Sequence, residues 1–301
     1  MRIGIFMGDL GGDSSRVDAA VAVAQRVATG GFTSVWMPQI FGLDALTTLA
    51  VIGAQVPDIE LATGVVPIYP RHPGVLAQQA LTVQSASGGG RLSLGIGLSH
   101  KLVIEDMFGY SFDRPASYME EYLQALAPLL RGERTDQVSD RITTRLTLDI
   151  AAPEPPGLLV AALGERMIGL AARYADGTVT WMTGEKTLAE HTVPTMRAAD
   201  GGADKRVVAA LPVAVTDDVA AAKALAAKIF VIYGQLPSYR AMLDREGAAG
   251  PEDVAIVGSA DEVSERITSM IDSGVTEFVA VPFSRDDAPA TFETLGALLD
   301  H

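Results

Sequence analysis

A chain of 301 residues with 48% apolar content can bury a substantial core, as one large barrel or as two smaller domains. It carries no cysteine, which excludes disulfides, thiolate nucleophiles and the usual structural zinc sites. A formal net charge of −14 argues against a nucleic-acid partner, yet a local set of backbone amides can still receive an anionic cofactor.

The apolar run Ile3-Gly4-Ile5-Phe6-Met7 starts almost at the first residue, so no signal peptide is expected. Arg2 to Met7 reads as the first strand, followed by a polar glycine loop, Gly8 to Ser15. A helix with Val17, Val21, Ala24 and Ala28 on one face then stops at Gly30-Gly31. Ser34 to Met37 is the second strand, closed by Pro38-Gln39, and Asp44 caps an apolar helix that reaches Gln55. Ile59 to Val66 is the third strand, after which Pro67, Pro70 and Pro73 hold the chain extended. Leu76, Ala80 and Val83 recur at helical spacing. Gly88-Gly89-Gly90 has the composition of a phosphate cradle but the position of a plain turn between helix and strand.

The fourth strand, Arg91 to Ile96, leaves through Gly95-Ile96-Gly97. A dinucleotide fingerprint would need a third glycine, where His100 stands, and a helix directly after it. The two glycines admit two readings: close approach of something flat or anionic, or relief of a crowded strand end. A polar loop, His100 to Arg114, precedes a helix opened by Pro115, with Met119, Leu123, Leu126 and Leu130 inward and Pro128 kinking its last turns. Arg134 to Pro156 alternates apolar and polar residues, with Ile142, Leu146, Leu148 and Ile150, and reads as a half-exposed excursion.

Leu158 to Leu163 is the fifth strand, with a helix from near Gly164; Gly177 to Met182 is the sixth, with a helix from about Glu185. Val207 to Val215 is the seventh, followed by a long helical stretch, Val219 to Arg245. Val263, Ile267 and Ile271 mark a helix before the eighth strand, Val275 to Val281. Val207 to Val215 is also the longest apolar run and is too short to span a bilayer, so a soluble, cytoplasmic protein is expected. Eight strands separated by helices, with no linker between the halves, fit a closed (β/α)8 TIM barrel better than an open doubly wound sheet. The expectation is one α/β domain over residues 1–301, with 134–156 as an excursion.

In a parallel barrel the site gathers at the C-terminal strand ends. That mouth would be lined by Met7-Gly8-Asp9, Met37-Pro38-Gln39, Gly64-Val65-Val66, Gly97-Leu98-Ser99-His100, Ala162-Leu163-Gly164, Trp181-Met182-Thr183-Gly184 and Val281-Pro282-Phe283. The set is poor in charge. It offers no facing carboxylate pair and no Ser-His-Asp set, and four scattered histidines give no metal site. A flat, apolar, glycine-lined mouth suits a planar cofactor that brings its own reactivity.

Three features resemble the luciferase-like monooxygenase superfamily. They are the Ser-x-Gly-Arg-Leu-x-Leu-Gly-x-Gly pattern (Ser87 to Gly97, with one extra glycine), the Arg71-His72-Pro73 loop, and the Ala175-Asp176-Gly177 turn. The similarity runs from Ile3 to Phe283 and is strongest to the branch using the deazaflavin coenzyme F420. The resemblance implies an oxidoreductase moving a hydride between F420 and a small organic substrate, and a homodimer. An FMN-dependent monooxygenase is the alternative, and a non-catalytic flavin- or deazaflavin-binding protein a third reading.

It further implies a non-prolyl cis peptide at Gly64-Val65, supporting the ring from behind, with Pro38, Gln39, Gly97, Leu98 and Ser99 around it. Phosphate handling matches Ala161-Ala162-Leu163-Gly164 at a helix N-terminus, with Thr183 and Gly184 adding contacts. Glu165 would repel phosphate unless it turns outward, and Arg166 could compensate. His100 stands where sugar-oxidising members carry a carboxylate acid and is the candidate proton carrier. Many members have an Asp-His pair after strand two; here Pro38-Gln39 replaces it. Gln39 can hydrogen-bond but cannot shuttle a proton, which favours reduction of an activated double bond over alcohol oxidation. Trp36 and Trp181 wall the substrate pocket or pack at its rim. His72, beside Pro73, is a capping or loop residue.

Overall fold

Strands buried on both faces read as nearly unbroken apolar runs, and eight such runs pair side by side here. They are β1 (Ile3–Phe6), β2 (Ser34–Met37), β3 (Glu60–Thr63), β4 (Leu92–Gly97), β5 (Gly157–Ala161), β6 (Gly177–Trp181), β7 (Arg206–Val215) and β8 (Glu277–Pro282). Each pairs in parallel with the next, and β8 returns to β1 through the register Ile3 to Phe278, so the ring closes. The computed structural model describes residues 1–8, 15–151 and 154–299; the mouth residue Asp9 and most of the loop expected at Gly8 to Ser15 lie outside them. The architecture is the expected TIM barrel. An open sheet is excluded by the closing pair.

Two apolar layers hold it. Inside the ring, Trp36, Ala62, Leu159, Val179, Val208, Ala210 and Val279 pack together. Outside, the strands' other faces meet the surrounding helices, including Met119, Leu123, Leu126 and Leu130 on the helix Pro115–Leu130. Each large side chain fully buried in this way contributes roughly 1.5–3 kcal/mol.

The N-terminal end of the ring is plugged by charge. Glu277 is fully buried and accepts hydrogen bonds from Ser34 Oγ at 2.5 Å and from Arg206 at 2.6 Å. Arg206 also reaches Glu60 at 3.0 Å and Ser93 at 2.8 Å, and Arg2 pairs with Glu60. Burial alone would push the Glu60 carboxyl up, but Arg206, Ser93 and Arg2 together hold it below the usual carboxylate range.

The family-like motifs are structural staples at this level. The Arg91 guanidinium donates to the carbonyls of Ser87, Val56, Ile59 and Gly53, tying helix ends to the base of β4. Asp176 accepts from the Leu158 amide at 2.7 Å, fixing the start of β5 against β6. His72 caps the helix Pro73–Ala86: Nδ1 accepts from Gly74 at 3.2 Å while Nε2 lies 3.0 Å from the Thr143 carbonyl, the capping role expected of it. Gly88 to Gly90 all have positive φ and form the plain turn at the end opposite the mouth.

Several boundaries differ from expectation. The third strand breaks after Thr63 at a cis Gly64-Val65 bond and resumes as Val66–Pro67, which pairs with Ile96 and Gly97. The loop after β4 contains a π-helical turn, Leu102–Met107, in which Ile104 is fully buried. The excursion contains an antiparallel hairpin, Thr135–Val138 with Thr143–Leu146, whose alternation buries Thr135 and Thr144 and leaves Val138 exposed. The stretch expected as one helix from Val219 to Arg245 is Val219–Ile229, a 3-10 turn Val231–Gly234 and Pro237–Glu246. A short strand, Ile256–Gly258, pairs with the end of β7, and a last helix, Ala288–Ala297, follows β8.

Candidate active site

Gly64, Gly97 and Gly164 all emerge at one rim. They follow neighbouring parallel strands, and an added Cβ on Gly97 would lie 3.3 Å from Ala161 Cβ, at the end of β5. Residues 61–63 are buried while Gly64 and Val65 are part-exposed, so this bond surfaces at the mouth. The glycines of β4 serve that arrangement. A Cβ on Gly95 would fall 2.0 Å from the Thr63 carbonyl oxygen, and one on Gly97 would fall 2.7 Å from Val65 Cγ2. The flat object approaching β4 is therefore the chain's own 63–65 segment, which puts the Val65 side chain inside the rim.

The strand exits are strained. Ser99 and Met182, just after β4 and β6, both have φ in the left-handed region, 60° and 53°. Such conformations persist where the surroundings impose them and cluster at functional sites. Ser99 hands the chain to His100, whose ring makes no hydrogen bond to the described residues and packs on Tyr239 at 5.8 Å. Burial lowers the His100 pKa, so its imidazole is neutral at pH 7.

Gln39 has a different occupation from the one expected. Its Oε1 accepts from the Ala45 amide at 2.7 Å at the start of the helix Ala45–Gln55, so that oxygen is committed to the protein. Pro38, Leu98 and Ser99 are part-exposed. Trp36 is fully buried beneath the rim. Its Nε1 donates to Ser34 Oγ at 2.8 Å and reaches Glu277 at 3.3 Å, and its six-membered ring lies 3.4 Å from where a Gly64 Cβ would stand. Fully buried, it underlies the rim and presents no surface there. Trp181 is part-exposed and stacks on Phe6 at 6.4 Å, within the mouth.

Two of the helix N-termini at the rim have opposite outcomes. The helix Glu165–Tyr174 begins at Gly164 with no side-chain cap, and nothing lies within 4 Å of an added Gly164 Cβ. Its entry loop is fixed by His191, whose Nε2 lies 2.9 Å from the Leu163 carbonyl; since that oxygen only accepts, Nε2 carries the proton. Ala161 and Leu163 are part-exposed, while Ala162 is buried. Glu165 is exposed, and Arg166 donates to Ser117 at 2.9 Å, away from the compensating role expected of it.

The helix starting at Glu185 is already occupied. Glu246 accepts from the amides of Lys186 and Thr187 and from Thr187 Oγ1, at 3.1, 2.7 and 2.6 Å. Thr183 is buried with its hydroxyl 3.4 Å from the Trp181 carbonyl. Of these two termini, the one at Gly164 has free amides and open space for an anion.

Sequence reading missed the segment that covers the far side. Tyr233 and Tyr239 stand edge-on at 5.0 Å, and Tyr233 meets Trp181 at 5.7 Å. Phe230 bridges Trp181 and Phe283 at 5.7 and 5.8 Å. Gly234 and Pro237 were the available signals, since they break the helix that would otherwise carry these rings away. Among the described residues no cluster of His, Asp and Glu could hold a metal, and no helix is long and apolar enough to cross a membrane.

The fold is a TIM barrel whose mouth carries a bare-backbone bulge after β3 and an uncapped helix N-terminus after β5. Residues 1–277 match the family model for luciferase-like monooxygenase, and the chain belongs to that family. It is 27% identical to a 5,10-methylenetetrahydromethanopterin reductase of Methanolobus tindarius over 286 residues, covering 83% of this chain and 86% of that one. A Mycobacterium tuberculosis protein provisionally named a coenzyme F420-dependent oxidoreductase is 28% identical over 194 residues, 59% of this chain and 54% of its own length. The fold is shared with an F420-dependent secondary alcohol dehydrogenase at TM-score 0.80, 18% identity and coverage of 99% and 97%. It is shared too with the EDTA monooxygenase of Chelativorans at TM-score 0.78, 16% identity and coverage of 100% and 93%.

Proposed function

We propose that this protein is an oxidoreductase that binds coenzyme F420 at the barrel mouth and moves a hydride between it and a small organic substrate. The observation that carries the reading is the pairing of a bare, part-exposed Gly64-Val65 bulge with an uncapped helix N-terminus at Gly164 on one rim. A flat ring with a phosphate-bearing tail has those two needs, and the residues fit it. F420 is the cofactor named for the M. tuberculosis relative, and the family membership supports a redox role.

When bound, the deazaflavin supplies a carbon that gives or accepts a hydride. The chain does the rest. Val65 and the Gly64-Val65 backbone support the ring, with Trp36 as the floor under them. Gly97, Leu98, Ser99 and Pro38 shape its edge. The amides at Gly164 and Glu165 hold the anion, with Ala161, Ala162 and Leu163 forming the approach. Thr183 acts through the Trp181 carbonyl, shaping the exit of β6. The side-chain amide of Gln39 is left to donate to a bound carbonyl. His100, neutral and with no hydrogen bond to the described residues, accepts a proton in the oxidative direction and in the reductive direction relays one, taking it from solvent at one ring nitrogen as it gives one up at the other. Phe6, Trp181, Phe230, Tyr233 and Tyr239 exclude water.

The second reading, an FMN-dependent monooxygenase, is favoured by the family's own description, and the same helix terminus suits the FMN phosphate. Anaerobic mixing with reduced F420 and an enone tests the first reading: the account expects F420 oxidation matched by reduced product. Product formed only with reduced FMN and oxygen would establish the second reading instead.

A further inference from the structure

A continuous line of ring contacts crosses the mouth. Phe6 stacks on Trp181 at 6.4 Å and 19°, Trp181 stands edge-on to Tyr233 at 5.7 Å, Tyr233 to Tyr239 at 5.0 Å, and Tyr239 meets His100 at 5.8 Å. The line leaves from β1, passes through β6 and the 231–246 segment, and returns at the exit of β4. None of its members carries a charge at neutral pH. Burial raises the pKa of both tyrosines and lowers that of His100, so phenols and imidazole are all held neutral.

Several charged groups on the flanking loops are paired with one another. Arg71 pairs with Asp44 at 2.5 Å, Glu185 with Arg266 at 2.6 Å, and Lys101 with Glu105 at 3.5 Å. Arg166 is bonded to Ser117, and Glu246 to helix amides. An anion pressed against this line would lose its water and gain no cation among these pairs. A flat, uncharged molecule would instead stack and displace water at little cost.

We propose that Tyr233 and Tyr239 make the mouth selective for uncharged, flat, conjugated substrates, such as aryl ketones and enones, over their carboxylate-bearing analogues. This rests on the reading of the mouth as the substrate site.

The test is a matched pair, acetophenone and 4-acetylbenzoate, titrated by ligand-observed NMR against the full chain with and without F420. With F420 bound, so that the amides at Gly164 are taken, the neutral ketone should bind at least about tenfold more tightly. Tyr233→Ala with Tyr239→Ala should remove most of that affinity, while Tyr233→Phe with Tyr239→Phe, which keeps the rings, should retain it. Circular dichroism checks that each variant is folded. Equal or tighter binding of the carboxylate with F420 bound would overturn the proposal, as would unchanged ketone binding in the folded alanine pair. A preference for the ketone in a protein that never takes up F420 would support the wall and remove the cofactor reading, so the two fail separately.

Discussion

Trp36 shows how one side chain joins the charged plug to the mouth. Its indole N–H is held by Ser34 and Glu277 while its ring carries the Gly64-Val65 bulge. Trp36→Phe keeps most of the packing and loses the N–H, so urea unfolding should show a loss of about 2 kcal/mol. This placement was not legible in the sequence, because Glu277 lies 241 residues further along the chain. The bulge itself was legible, through the family-like strand ending, and so was the helix start at Gly164. At Gly97, alanine would put a Cβ 2.7 Å from Val65 Cγ2 and push that side chain into the mouth. Gly97→Ala should weaken F420 binding while costing about 1–3 kcal/mol of stability, read by titration and by unfolding. His100 adds a pH dependence. Its folded pKa lies below its ordinary value, so the unfolded chain binds more protons near pH 6 and stability falls as pH drops below about 6.5. His100→Gln should flatten that slope in thermal melts between pH 5 and 7.

The 231–246 segment is the element that composition concealed. An alanine-rich run after Asp218 carries the helical pattern forward, and only Gly234 and Pro237 mark where it turns back over the barrel. The turn is held from outside its own sequence. Glu246 closes the N-terminus of the helix after β6, and the Cβ of any other residue at Gly184 would lie 2.3 Å from the Glu246 carboxyl carbon. Glu246→Ala leaves the Lys186 and Thr187 amides without their partner and should cost about 1–2 kcal/mol. Hydrogen exchange should then show faster exchange confined to the segments 184–192 and 231–246. By contrast, the helix Pro115–Leu130 announced itself fully, since its inward residues recur at helical spacing and an N-terminal proline fixes its start. Local pattern reveals elements that pack on their own stripe; it is silent on those placed by a distant carboxylate.

At the scale of the molecule, eight short strands close into a ring whose two ends do different work. One end is sealed by Glu277, Arg206, Glu60 and Ser93, the other lined with bare backbone, aromatic rings and an open helix terminus. The ring was readable from the alternation of apolar runs and helices, but its ionic seal was not, because it joins residues from β2, β3, β4, β7 and β8. Removing the buried charge by Glu277→Leu leaves Arg206 with Glu60 alone and should cost about 3 kcal/mol or more in unfolding experiments. The central claim is that the open end receives a deazaflavin. A crystal structure of the F420 complex tests it most directly. The account predicts the ring against Val65 and the phosphate on the amides at Gly164 and Glu165; a cofactor bound anywhere else on the molecule, with that rim empty, would contradict it.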